Sequence, residues 1–278
     1  MPARLTQLKR KGRTRRATAR APVADNRRRL LRAIDLLEAN LGTPVWDGLK
    51  DALEVLVLTI LSQNTTDPNA LRAYQNLARA LPAPPTGKTA PLPLDAAGNI
   101  DKVKLRLSDA ARAVEPPQWP RVAALKRQEL AGLVRGAGLP EAKSGAILAV
   151  LLWLQGHTGG YRLEAAIERM GLGAAMAALG GIKGIGVKTV AVTMIEALGA
   201  DLCPVDTHVH RIMNRLGIVD TGANRDSTFE RIKAMLPSGR AYALHHNLLT
   251  FGRSVCTARA PQCKTCVLRR LCPSRDKV

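Results

Sequence analysis

Four of the five cysteines of this 278-residue chain lie within seventeen residues, in "CTARAPQCKTCVLRRLC", at Cys256, Cys263, Cys266 and Cys272. Their spacing is C-x6-C-x2-C-x5-C. Four thiolates so close together suit zinc or an iron–sulfur cluster, because both favour soft sulfur ligands. Zinc ribbons bring two C-x2-C knuckles together across a longer loop, whereas here one C-x2-C is flanked by wider spacers in one compact loop. That pattern fits a cubane held at four corners better than a tetrahedral ion. The fifth cysteine, Cys203, stands alone and reads as a small buried apolar residue.

A second stretch, "LGGIKGIGVKTVAVTMIEALG" over 179–199, places Gly184 and Gly186 where the chain turns tightly between two short helices. The backbone N–H groups at the start of the second helix would face a phosphate, the sequence-independent grip of a helix-hairpin-helix. Lys183 precedes the glycines and Lys188 opens the second helix. On residue type alone, Lys188 is one more phosphate contact. In "CPVDTHVHRIMNRLG", Asp206 sits where a helix begins, the position of an ordinary N-cap. His208 and His210 are two apart and so point to different sides of that helix, which argues against a metal pair.

The elements that must position these groups read as helix upon helix. Leu30, Leu31, Ile34, Leu37 and Leu41 follow a 3.6-residue period. Similar patterns cover roughly 50–62, 67–81, 121–136, 141–156, 162–170, 173–180, 187–198, 207–217, 224–236 and 239–252. Alternating β-branched runs bounded by hairpin turns are missing, so the fold class is all-α. Residues 82–120 hold eight of the seventeen prolines and read as an extended surface insertion. The longest clean apolar run, "AILAVLLWL", has nine residues, well short of the ~20 of a membrane span. With no signal-peptide pattern, the expectation is a soluble, cytoplasmic chain whose thiols stay reduced.

The net charge is +20, and half of it sits at the start: residues 1–29 carry eleven Lys or Arg against one acid. Such an excess points to a polyanion, most often nucleic acid. The segment 1–28 reads as a basic, disordered tail that contacts DNA.

"IKGIGVKT", then "VDTHVHR", then "HHNLLTFGRSVCTARAPQCKTCVLRRLC" together resemble endonuclease III, a bifunctional DNA glycosylase of the helix-hairpin-helix superfamily. The resemblance covers roughly 29–278 apart from the insertion. It implies two helical domains around a DNA-binding cleft: a six-helix barrel over 45–200, and a cluster domain combining 29–44 with 201–278. It implies that Cys256, Cys263, Cys266 and Cys272 hold a 4Fe–4S cluster, with Arg259, Lys264, Arg269 and Arg270 displayed toward phosphates. Lys188 becomes the nucleophile and Asp206 its partner across the cleft.

In the family, a polar side chain from an "LSxQ"-like turn fills the gap left by the flipped base. In "LSQNTTD" that is Gln63 by residue type, or Asn64 by counting back from Asp67. Leu139 matches an apolar wedge on the opposite strand. The implied partner is duplex DNA with a damaged base or abasic site, bound by a monomer of a bacterial, nucleoid-associated enzyme. Departures are Lys183 for a proline, Val187 for an arginine and Pro140 for an aromatic residue. An adenine-specific relative would carry a glutamate near Leu58. A thymine- or uracil-mismatch glycosylase, a non-enzymatic iron–sulfur DNA-binding protein and an electron carrier are the other readings.

Overall fold

The computed structural model describes residues 23–87, 90–92, 94–98 and 106–275. Its helices are α1 (Val23–Leu41), α2 (Ala52–Ser62), α3 (Asp67–Ala80), α4 (Leu107–Ala113), α5 (Trp119–Ala123), α6 (Arg127–Val134), α7 (Pro140–Thr158), α8 (Leu163–Met170), α9 (Leu172–Gly180), α10 (Val187–Leu198), α11 (Thr207–Arg215), α12 (Arg225–Met235) and α13 (Ala241–Ser254). Among the described residues no strand forms; one isolated β-bridge joins Pro82 to Pro117. The all-α expectation holds.

Two apolar cores organise these helices. The larger gathers side chains of α2 to α10, with α2 buried along nearly its whole length from Ala52 to Leu61. Such a helix, apolar on all sides, belongs at the centre of a bundle. The smaller core brings Leu30, Ala33, Ile34 and Leu37 of α1 against α11, α12 and α13. The chain's first helix therefore packs on its last ones. Helix α10 serves both bodies: Met194 and Ala197 face the larger core, Ala191 the smaller.

Three expectations change in detail. Helix α1 begins at Val23, inside the stretch assigned to the tail, where Asp25 in its first turn pairs with Arg28 and Arg29. The rest of the tail lies outside the described residues. The helix expected over 121–136 is broken into α5 and α6, and Glu129 restarts it by accepting from the backbone N–H of Lys126 at 2.7 Å.

The insertion is not merely an extended surface loop. Its ends are tied by Gln118 N–H donating to the Leu81 carbonyl at 2.8 Å. Within it, α4 buries Ser108 and Ala111. The prolines dominate the composition of 82–120 and hide this short helix, whose stability comes from packing rather than propensity.

Candidate active site and cysteine loop

Helices α9 and α10 form a helix-hairpin-helix. Gly184 takes φ +92°, a left-handed conformation that a side chain rarely adopts, and a Cβ there would lie 3.3 Å from Ala146 of α7. Gly186 caps α10, and its carbonyl accepts from Thr189 N–H at 3.0 Å. Lys188 thus stands in the first turn of α10, while Lys183 is exposed on the hairpin.

Asp206 caps α11: its Oδ1 accepts from Val209 N–H at 2.8 Å. The ordinary capping role is real. Yet Asp206 and Lys188, eighteen residues apart, also line one cavity of about 140 Å³ between the two bodies. Asp67, Arg106, Glu196 and Arg253 share its wall.

The electrostatics of this cavity are uneven. Lys188 reaches solvent through the cleft mouth but is crowded by protein. That desolvation lowers its pKa below an ordinary lysine's; Asp206 and Asp67 oppose the shift, and Arg253 adds to it. Burial raises the Asp67 carboxyl, against the pull of Arg253 at 3.7 Å and of Lys188. Burial would also raise Glu196, but His246, 2.8 Å away, and the Ser108 hydroxyl, donating at 2.7 Å, outweigh it and bring the group down to about 2. Burial, with His246 alongside, pushes His245 down to about 4. Its Nδ1 lies 3.1 Å from the Pro204 carbonyl, which can only accept, so Nδ1 carries the proton and Nε2 is left as an acceptor.

A lysine with a lowered pKa supplies more neutral amine near neutral pH, which is what attack on an electrophilic carbon needs. A carboxylate beside it can stabilise positive charge as it develops.

Asp67, Arg106, Glu196, His245, His246 and Arg253 were not singled out by the sequence. The adjacent pair His245–His246 was the one visible signal. Arg106 comes from the proline-rich insertion, where its guanidinium is held by Tyr242 at 2.6 Å, by Asp109 and Asp47 at 3.1 Å each.

The residues expected to enter DNA are treated differently by the structure. Gln63 is committed to the hairpin, its Nε2 donating to the Gly184 carbonyl at 3.0 Å and to Thr189 Oγ1 at 3.1 Å. Asn64 is exposed, with φ 53°. Leu139 is 56% exposed, with φ 50°, just before α7. Among the described residues these are the only non-glycine residues with positive φ. Such backbone costs energy for a residue with a Cβ and clusters at functional sites. Leu58 is fully buried in α2.

The four C-terminal cysteines are half-buried and line one cavity of about 30 Å³. Cys256, Cys266 and Cys272 also pack against the smaller apolar core. Among the described residues no three His, Cys, Asp or Glu side chains gather as a site for a single metal ion. Arg215 of α11 clamps the loop, donating to Cys256 Sγ at 3.4 Å and to the Thr257 carbonyl at 2.7 Å. Arg211 donates to the Cys256 carbonyl at 2.8 Å. One helix therefore carries Asp206 at its start and grips the cysteine loop along its length. Arg259, Lys264 and Arg270 are exposed. Arg269 is a correction: it is half-buried against the cysteine cavity, with Nη1 donating to the Cys263 carbonyl at 3.3 Å, so it braces the loop. Cys203 is buried, as expected, and burial raises its thiol pKa.

The chain belongs to the HhH-GPD superfamily of base excision DNA repair proteins, which it matches over residues 57–238. It is similar to endonuclease III of Sulfolobus acidocaldarius, 26% identical over 80% of this chain and 82% of that protein. It is 35% identical to endonuclease III of Escherichia coli strain K12, over 37% of this chain and 48% of that protein. Among solved structures, a non-covalent endonuclease III–DNA complex is similar at TM-score 0.65 and 21% identity, covering 90% of this chain and 97% of that one. A thermostable thymine-DNA glycosylase is similar at TM-score 0.61 and 17% identity, covering 92% and 99%. The protein is an endonuclease III-like base excision repair DNA glycosylase with that fold.

Proposed function

We propose that the protein is a bifunctional enzyme that removes oxidised pyrimidines from duplex DNA and cuts the strand at the resulting abasic site. The observation that carries this reading is the shared cavity of Lys188 and Asp206, in which desolvation lowers the lysine's pKa. Lys188 Nζ, as the neutral amine, attacks C1′ of the flipped nucleotide. The glycosidic bond breaks, and the base leaves with its electron pair and takes up a proton. Asp206 stabilises positive charge on the sugar and handles the lysine's proton. The sugar ring then opens: the C1′–O4′ bond breaks, O4′ takes up a proton, and the Nζ lone pair turns the C1′–Nζ bond into a protonated Schiff base. Loss of a C2′ proton then expels the 3′ phosphate by β-elimination. Flipping costs a few kcal/mol and favours bases already poorly stacked, as a non-planar oxidised pyrimidine is.

Cys256, Cys263, Cys266 and Cys272 would hold a 4Fe–4S cluster. Four soft thiolate donors facing one cavity, spaced C-x6-C-x2-C-x5-C in one compact loop, fit that group. When bound, the cluster would cross-link the loop that presents Arg259, Lys264 and Arg270. Gly184, Gly186 and Lys183 would grip a phosphate of the same duplex, Leu139 would wedge the opposite strand, and Asn64, rather than the committed Gln63, would fill the gap.

Borohydride trapping on an abasic-site duplex tests the chemistry. Wild-type protein should form a covalent complex and Lys188→Ala should not; equal trapping by the variant would move the nucleophile elsewhere. Single-turnover excision of thymine glycol opposite A, thymine or uracil opposite G, and adenine opposite 8-oxoguanine tests the substrate. Preference for anything but thymine glycol would refute it.

A further inference from the structure

Lys143, in the first turn of α7, is among the most deeply buried large side chains in the molecule, at 2% exposure. It plays no part in the cleft chemistry. Its ammonium donates to the Leu61 carbonyl at 2.7 Å and to the Ala137 carbonyl at 2.7 Å. Its own backbone N–H donates to the Leu139 carbonyl at 3.1 Å. Leu61 lies in the last turn of α2, two residues before Gln63 and three before Asn64. Ala137 lies two residues before Leu139. One buried cation thus joins the two loops that carry the exposed, left-handed Asn64 and Leu139.

The connection continues to the hairpin. Gln63 donates to the Gly184 carbonyl, and Gly184 packs against Ala146 of α7, the same helix that carries Lys143. Burying a lysine is costly, and a methionine of similar length would fill the space without that cost. What the methionine lacks is the pair of donors that hold carbonyls from two separate loops. Loose loops could each visit the duplex, but gap filling and wedging need both tips to arrive at a set spacing. A displacement of 1 Å in such a constellation costs about 10²-fold in rate.

We infer that Lys143 is a positioning residue that locks the Asn64 loop and the Leu139 loop into one rigid edge, so that both side chains enter the duplex together. The inference rests on the reading that Asn64 and Leu139 enter DNA, and the test separates the two. Lys143→Met, and Lys143→Gln with a single short donor group, are compared with wild type on two substrates. One is a thymine glycol duplex, which needs flipping. The other is an abasic site in single-stranded DNA, which needs none. A 2-aminopurine opposite the lesion reports unstacking directly.

Lys143→Met should slow duplex excision about 10²-fold, abolish most of the 2-aminopurine signal and leave single-strand cleavage within about two-fold. In an Asn64→Ala/Leu139→Ala background it should cost nothing further, because the tips it positions are gone. Equal losses on both substrates, or losses that add in the double-alanine background, would make Lys143 a general structural residue and overturn the inference. If Asn64→Ala and Leu139→Ala leave duplex excision unchanged, the DNA-entry reading itself fails, and the inference with it.

Discussion

Asp206 has two roles in this structure, and they can be separated by two substitutions. Its Oδ1 caps α11 through Val209 N–H at 2.8 Å, and its charge faces Lys188 across the cavity. Asparagine caps as well as aspartate does, so Asp206→Asn should keep the cap and change stability by less than ~0.5 kcal/mol. Alanine removes the acceptor and should cost about 1 kcal/mol, with 0.5–2 the usual range. In a chain of this size that is a fall in Tm of roughly 2–4 °C.

The charge has a different readout. Without the carboxylate, nothing at position 206 stabilises positive charge on the sugar, so base release should slow about 10²-fold in both variants. The same loss removes a force that holds the Lys188 pKa up, so that pKa should fall further. The pH at which trapping on a preformed abasic site reaches half its maximum should therefore move lower. The assay is single-turnover excision beside borohydride trapping from pH 5 to 9, with melting curves for each variant. Wild-type base release by Asp206→Asn, or a loss that tracks the change in Tm, would refute the catalytic role and leave only the cap.

Three further outcomes are expected. A Cβ at Gly252 would stand 2.6 Å from His208 Nδ1 and 2.7 Å from its Cβ, so Gly252→Ala should force α11 and α13 apart. Overpacking of that kind costs about 1–3 kcal/mol, and a drop in Tm under 2 °C would show that the crossing is looser than it looks. Glu196, lowered from 4.5 to about 2, contributes stability that is fully present above pH 4.5 and lost as pH falls toward 2. In urea melts Glu196→Gln should weaken that acid dependence, by on the order of 3 kcal/mol between neutral and low pH; an unchanged slope would contradict the burial of its charge. Purified protein should contain about four iron atoms per chain, lost on Cys263→Ser and kept on Cys203→Ser; one zinc and no iron would overturn the cluster.

Much of the molecule was legible before folding was considered. Helical periods depend on neighbours within one or two turns, so α2, α10, α11 and α13 follow from local spacing, as does the hairpin at Gly184–Gly186. The cysteine set is equally local, because sixteen residues separate its ends and a single loop must close them. What local pattern misjudged was α4, which is short, surrounded by proline and held only by what it packs against.

The site was legible in its parts and not in its assembly. Residue type favoured Gln63 and counting favoured Asn64; only the meeting of α2 with the hairpin commits Gln63 to Gly184 and leaves Asn64 in the open. Arg269 and Arg270 are adjacent and alike, yet the fold of the loop turns the first toward the cysteines and the second outward. Arg106, Glu196 and His246 lie 50 to 140 residues apart, and no spacing rule joins them. Composition and period determine which segments are helices and which faces are apolar. Which polar group faces a cleft depends on how distant helices cross, and that is decided where their buried surfaces meet.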